Sequence, residues 1–216
     1  MSEVSLVIWG ASGHALVVAD IVRLVGQYRV VGFLDDVNTN RRNTEFCGAP
    51  ILGGREQLPR LAELGVTHLL FGFGNCATRL ELSSLVRQHG LSLATAIHPR
   101  ATVAVDVSVG PGTVIAAGAV INPGAIIGEN VIVNTSAGID HECVVEDGAH
   151  VCPGARLAGC VTVGRGAWIG IGAVVIDHVK VGAGAFVGAG AVVTHDVPER
   201  VLVCGIPAKL VREIEP

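Results

Sequence analysis

Two patterns of hydrophobic positions divide the chain. Over residues 1–95, short apolar runs alternate with segments whose apolar residues recur at helical spacing. "SLVIWG" (5–10), "YRVVGFLDD" (28–36) and "THLLFGFGN" (67–75) read as strands. Between the first two, "ASGHALVVADIVRLV" (11–25) lines up Ala15, Val18, Ile21, Val22 and Val25 on one helical face. "EQLPRLAELG" (56–65) and "CATRLELSSLVRQHG" (76–90) read as helices stopped by Gly65 and Gly90. Strands that alternate with helices predict a small parallel sheet covered by helices. The polar segment "DDVNTNRRNTEF" (35–46) reads as a loop.

From Ile97 the spacing changes to six. Every sixth residue from Ile97 to Val193 is Ile, Val or Leu, 17 positions without a slip of frame. Two residues before each of the last 16 stands another small or apolar residue, such as Ala119, Ala137, Cys143 or Ala155. Six residues are too many for a helical turn and fit one side of a parallel β-helix, three sides making a coil of 18. Between five and six coils are expected, stacked about 4.8 Å apart by ordinary interstrand hydrogen bonds. The periodic aliphatic points inward, and the Gly or Asn beside it is expected at the corner. Two domains follow, 1–95 and 96–216. The general rule for parallel crossovers makes such a coil right-handed.

Composition narrows the function. Half of the chain is hydrophobic but only 4% is aromatic, and 29 residues are Gly, so the core is built of small aliphatics and tight turns. A net charge of −4 argues against a general nucleic-acid binder. No apolar run is long and unbroken enough to span a membrane, and "MSEVSLVIWGASGHA" lacks the basic start of a signal peptide. The six Cys form no CxxC pair, which points to reduced thiols in a cytoplasmic protein rather than a zinc site.

Against the regular background, "GIDHECVVEDGAH" (138–150) holds His141, Glu142 and His150. An imidazole can accept a proton from an attacking nucleophile near neutral pH, and an adjacent carboxylate can orient the ring. Glu142 and Asp140 both compete for that role. In the first half, Gly10-Ala11-Ser12-Gly13-His14 lies at a strand-to-helix junction, where a Gly-rich turn and helix amides can hold phosphate oxygens. It is not a GxGxxG fingerprint, and a tight turn without ligand reads equally well from the spacing.

The hexads "VGRGAW", "IGIGAV", "VGAGAF" and "VGAGAV", with the ending "VCGIPAKLVREIEP", resemble the left-handed β-helix of the hexapeptide-repeat acyltransferases. That resemblance overrides the crossover rule for the hand of the coil. "NTSAGIDHECVVEDGAHVCPGARLAG" (134–159) is similar to the active-site segment of one subgroup. It contains the bacterial enzymes that acetylate nucleotide-linked amino sugars, and the sialic-acid O-acetyltransferase relatives. The fold it implies is a small α/β Rossmann-like N-terminal domain followed by a left-handed parallel β-helix.

The resemblance also implies roles. His141 is the general base, Glu142 raises its basicity, and His150 contacts acetyl-coenzyme A. Ile171 and Ala189 lie beside the coenzyme through backbone groups; Lys209 can pair with one of its phosphates or equally with solvent. Trp168 and Phe186, 18 apart, are expected to stack above His150. Ser12, Gly13 and His14 meet the diphosphate of a nucleotide sugar, Asp35 and Asp36 its base or ribose, and Asn75 the same sheet edge. Three copies assemble with active sites between subunits.

The activity implied is direct acetyl transfer to the 4-amino group of a nucleotide-linked sugar, GDP-perosamine first and a UDP-linked 4-amino sugar next. No Ser or Cys nucleophile is needed, and Cys143 is expected to point inward. O-acetylation of sialic acid is the rival activity, and a non-catalytic scaffold the rival class. A metal-dependent relative holds zinc with three histidines, but no histidine lies one coil from His141, so no metal is expected.

Overall fold

A computed structural model describes residues 4–215. The chain forms two compact units, the first ending at Pro99 and the second beginning at Arg100; the hydrophobic pattern alone puts the change at 95/96.

The first unit runs β1 (Val4–Trp9), α1 (Gly13–Val25), β2 (Tyr28–Leu34), β3 (Glu45–Phe46), β4 (Ala49–Gly53), α2 (Leu58–Leu61), β5 (His68–Phe71), α3 (Cys76–Gln88) and β6 (Ser92–Leu93). The sheet order is β3-β4-β2-β1-β5-β6, parallel except for the β3–β4 pair. β1 is central because Leu6, Val7 and Ile8 are apolar on both faces and fully buried. The chain leaves β1 to one side through β2 and returns to the other side at β5. That reversal opens a crevice at the carboxyl ends of the strands, the usual ligand position in such sheets. Gly10 and Gly72 floor it: a Cβ on Gly10 would lie 2.9 Å from the Gly72 carbonyl oxygen.

Two expectations change here. The helix read over 56–65 is α-helical only over Leu58–Leu61, preceded by a 3₁₀ turn at Arg55–Gln57 and unwinding toward Gly65, whose φ is +73°. The polar segment after β2 is not loop throughout. It ends in β3, which turns through Cys47 (φ 48°) and Gly48 (φ 72°) into β4, the double left-handed turn of a tight hairpin. Phe46 anchors that hairpin edge-on against buried Phe33, with ring centroids 4.9 Å apart.

The second unit is a three-sided parallel β-helix. Two-residue strands pair with their equivalents 18 residues away on every side, as in Val114↔Ile132↔His150, Val120↔Gly138↔Arg156 and Ile126↔Val144↔Thr162. The periodic aliphatics from Ile115 to Val193 are buried, and so are the small residues two positions before them, from Thr113 to Ala191. The residue between each pair points outward, as strand alternation requires. Thr113, the polar exception inside, donates from its hydroxyl to the Gly128 carbonyl and accepts from the Val131 amide.

The corners differ from the expectation. The chain turns two and three residues after the periodic aliphatic, and the third residue is left-handed at each corner from Gly112 to Gly190. Glycine there relieves a backbone conformation. Glycine directly after the aliphatic has another cause. At Gly110, Gly128, Gly164, Gly170, Gly182 and Gly188 a Cβ would fall 2.4–2.6 Å from the next coil. The last face continues from Phe186–Val187 into Val201–Cys204, and Lys209–Glu213 folds back antiparallel on it, covering the sheet edge. Among the described residues no helix is long and apolar enough to cross a membrane.

Candidate functional site

His141 and Glu142 are the two turn residues of one solenoid corner. The preceding strand, Gly138–Ile139, ends there, and the corner is fastened on both sides: Glu142 N–H donates to the Pro123 carbonyl one coil away, and the His141 carbonyl accepts from Cys160 N–H one coil the other way. Glu142 is left-handed, with φ 56°, which swings its carboxylate back toward the ring. His141 Nδ1 lies 3.2 Å from Glu142 Oε2.

The two carboxylates face different partners. Asp140 turns to the backbone, where its Oδ1 accepts from His141 N–H and from Asn122 Nδ2, each at 2.8 Å. The Asn122 amide and then the His141 amide hold its carboxyl below the usual aspartate range. Glu142 therefore faces the imidazole and Asp140 braces the corner. An ionised carboxylate only accepts hydrogen bonds, so in the neutral ring Nδ1 carries the hydrogen and Nε2 keeps its lone pair. The His141 side chain is 56% exposed.

The ring lies over Gly159, one coil on. A Cβ at Gly159 would stand 2.5 Å from His141 Cε1 and 2.6 Å from Nε2. Only a residue without a side chain leaves the ring where it is. Cys143, next to Glu142 in sequence, points into the prism, fully buried with its thiol donating to the Ala158 carbonyl, and burial raises its pKa.

A second group occupies another face. His150 is 4% exposed and packs edge-on against Trp168 at 4.4 Å, and Trp168 stacks on Phe186 at 5.6 Å and 7°. The column expected from the 18-residue spacing is present. Asn134 Oδ1 is committed to Thr135 N–H, so its amide nitrogen faces His150 Nε2 at 3.1 Å. Nε2 is thus an acceptor and Nδ1 bears the hydrogen. Ile171 and Ala189 are exposed turn residues one coil apart at the corner after this face, joined by the Gly190 N–H to Ile171 carbonyl bond. Lys209 is exposed at the start of the final hairpin strand, opposite Cys204. Within one chain His141 and His150 are not brought together: the whole face carrying Val144–Val145 lies between them.

A third group lies in the first unit. The crevice at the strand ends is a cavity of about 350 Å³ lined by Trp9, Ser12, Asp35, Asp36, Asn75 and Arg55, among others. Gly13 and His14 are not in its lining; they form the adjoining first turn of α1. Both aspartates already serve protein donors. Asp35 Oδ1 accepts from Val37 N–H and Asn38 N–H, and Asp36 accepts from Arg55 N–H and Trp9 Nε1. They shape the loop after β2 as well as face the cavity. Asn75 caps α3 by accepting from Thr78 N–H at 2.9 Å. Ser12 stands at the N-cap of α1 without using its hydroxyl as a cap, and the space beyond the Gly13 Cα is open.

His14 is a neutral group. Burial, then the nearby Arg79 guanidinium, lower its pKa to about 4. Arg79 itself is fully buried on the apolar face of α3 and donates to the Gly74 carbonyl. Sequence reading missed it, although a lone arginine at a core-facing helical position was visible. Because His14 resists protonation only when folded, the unfolded chain binds more protons between about pH 6.5 and 4, and stability falls with pH across that window. We expect the first unit to lose about 2 kcal/mol from this group between about pH 7.5 and 5. His14→Gln should remove that share. Urea unfolding followed by Trp9 fluorescence in a Trp168→Phe background would measure it; equal pH slopes in both proteins would contradict the assignment.

Comparison with known proteins follows the same division. Residues 5–86 match the PglD N-terminal domain, and residues 160–195 match the bacterial transferase hexapeptide (six repeats). Among solved structures, a single-residue mutant of perosamine N-acetyltransferase from Caulobacter crescentus, in complex with CoA and GDP-perosamine, is 39% identical, with 97% of each chain covered and a TM-score of 0.92. The acetyltransferase domain of PglB from Neisseria gonorrhoeae FA1090, in complex with acetyl coenzyme A, is 35% identical over 97% of this chain and 100% of that one, with a TM-score of 0.90. WeeI from Acinetobacter baumannii AYE matches at 25% identity and a TM-score of 0.80, over 97% of this chain and 100% of its own. The Rossmann-like sheet and the left-handed β-helix are the architecture of this group, and the chain is an acetyltransferase. With its N-terminal sheet, its hexapeptide coils and a corner that aims a carboxylate at a histidine, the chain belongs to the hexapeptide-repeat sugar acetyltransferases that carry a PglD-type N-terminal domain.

Proposed function

We propose that the protein transfers the acetyl group of acetyl-coenzyme A to the 4-amino group of a GDP-linked amino sugar, with GDP-perosamine the favoured substrate. The observation that carries the chemistry is the His141–Glu142 pair, in which Glu142 engages Nδ1 at a fastened corner and leaves Nε2 for the substrate. The sugar amine attacks the thioester carbonyl carbon and a C–N bond forms. His141 Nε2 takes the amine proton, and Glu142 favours the imidazolium. The C–S bond then breaks, and the imidazolium returns its proton to the departing thiolate. The mechanism needs no thiol nucleophile, and Cys143, next to the pair in sequence, is enclosed.

The buried His150 and the Trp168–Phe186 stack offer an apolar wall to the pantetheine arm, with Ile171 and Ala189 at its edge and Lys209 for a coenzyme phosphate. The cavity in the first unit takes the nucleotide, and the open turn at Ser12 and Gly13 takes the diphosphate through α1 amides. His14, being neutral, contributes there by hydrogen bonding rather than by charge. A site using both His141 and His150 must draw them from two copies, a requirement that a cyclic trimer with three shared sites meets.

The reading is tested by following acetylated product by mass across GDP- and UDP-linked 4-amino sugars and free sialic acid. Preference for the GDP amino sugar is expected by at least about tenfold in kcat/KM, since a site built for one set of hydrogen bonds leaves buried groups unpaired with another. Product on sialic acid alone would move the function to O-acetylation.

A further inference from the structure

We propose that His141, Glu142 and Cys160 form a binding site for one zinc-like divalent cation, and that filling it switches the base off. Glu142 and Cys160 hold the same corner position in successive coils, both left-handed with φ of 56° and 58°. Nine of the fourteen residues in that position from Gly112 to Gly190 are glycine, so a side chain there is a strained exception needing its own reason. Neither side chain fills the core; His141 and Glu142 are exposed and Cys160 is half-exposed.

The three donor atoms converge on one point of solvent. Glu142 Oε2 is 3.2 Å from His141 Nδ1 and 3.8 Å from Cys160 Sγ, and all three donors lie within 4.8 Å of one another. Tetrahedral zinc with bonds of about 2.0–2.3 Å sets its ligands about 3.3–3.8 Å apart. Small side-chain rotations therefore suffice to seat the ion, with the solvent side left for water. One imidazole nitrogen, one carboxylate and one thiolate suit zinc and exclude magnesium or calcium, which want all-oxygen shells.

Binding is balanced by loss of the Cys160 proton to solvent as the S–metal bond forms. In the metal-free corner that proton is held: partial burial and then the Glu142 carboxylate raise the thiol's pKa. A dication reverses the second effect. A metal on Nδ1 forces the imidazole proton onto Nε2, which then has no lone pair for the substrate amine. The ion also draws Glu142 away. Occupancy and turnover exclude each other.

The inhibitory half of this proposal rests on His141 being the base; the site itself does not. Cobalt(II) titration of the assembled protein is expected to raise a thiolate-to-metal absorption in the near ultraviolet. Cys160→Ala, which leaves the His141–Glu142 pair in place, should lose that band and acetylate normally without metal. Micromolar zinc should inhibit wild type reversibly to chelator. Since removing even an outer partner of a metal ligand costs about 10–100-fold in affinity, Cys160→Ala should need at least that factor more zinc. An unchanged cobalt band in Cys160→Ala would overturn the site. A Cys160-dependent band with zinc leaving turnover untouched would keep the site and overturn its coupling to the base.

Discussion

His141→Ala is expected to lower kcat by a factor of about 10²–10⁴, the usual worth of a positioned general base. The coils should be unaffected, because the side chain is exposed and the corner is held by backbone bonds through Pro123 and Cys160 that the substitution does not touch. Acetyl-coenzyme A affinity should stay within a few-fold of wild type, since His150 and the aromatic column lie on a different face. Glu142→Gln should cost less, about tenfold, because the ring keeps its place and loses only the charge that steadies the imidazolium. His150→Ala chains should be weak as well, through the coenzyme. Mixing the two variants after unfolding together gives the sharper result. If each site takes His141 from one copy and His150 from the next, about a quarter of sites in random trimers carry both residues, and activity returns to about that fraction of wild type. Recovery near zero would mean that the two histidines act within one chain or not together. Wild-type turnover by His141→Ala alone would remove the base from the mechanism.

Gly159→Ala is expected to cost about 10–100-fold in kcat while leaving unfolding nearly unchanged, because a misplaced catalytic group loses rate out of proportion to its displacement. The added Cβ would collide with Cε1 and Nε2 of His141 at 2.5 and 2.6 Å. These are the far atoms of an exposed side chain, so the ring swings aside at little thermodynamic cost. It does so by leaving Glu142 or by turning Nε2 from its direction, and either defeats the base. The double variant His141→Ala/Gly159→Ala should be no slower than His141→Ala, as expected when one residue acts only through the other. Additive losses would mean that Gly159 matters for some reason other than the ring.

The solenoid was legible because its signal is redundant. Seventeen aliphatics in one frame leave no other fold, and the inward pair in each hexad is buried as read from Ile115 onward. The aromatic column followed from counting by 18. Counting by 18 from His141 reaches Gly159, which in sequence is only the absence of a histidine and in the structure is the seat of the ring. Which acid faces His141 was not legible, since Asp140 and Glu142 flank it equally in sequence; Glu142 faces the ring from a left-handed turn, and no propensity announces that conformation at a glutamate. In the first unit, the β3–β4 hairpin hid inside a polar segment because its turn is Cys-Gly rather than Asn-Gly. The roles of Asp35 and Asp36 were half legible. Both reach the cavity, but their bonds to Val37, Asn38, Arg55 and Trp9 depend on chain folding back from as many as 27 residues away.

The 18-residue pairing has a consequence for how such a protein changes over generations. Inside and outside are set by counting, so losing or gaining one residue in a strand would turn every later side chain inside out until the count is restored. Gradual lengthening is closed to this half of the molecule. Whole coils can be gained or lost near the ends, and corner loops can be enlarged, without disturbing what lies before them. New chemistry must otherwise arrive by replacing single residues at the turns, where His141 and Glu142 already stand.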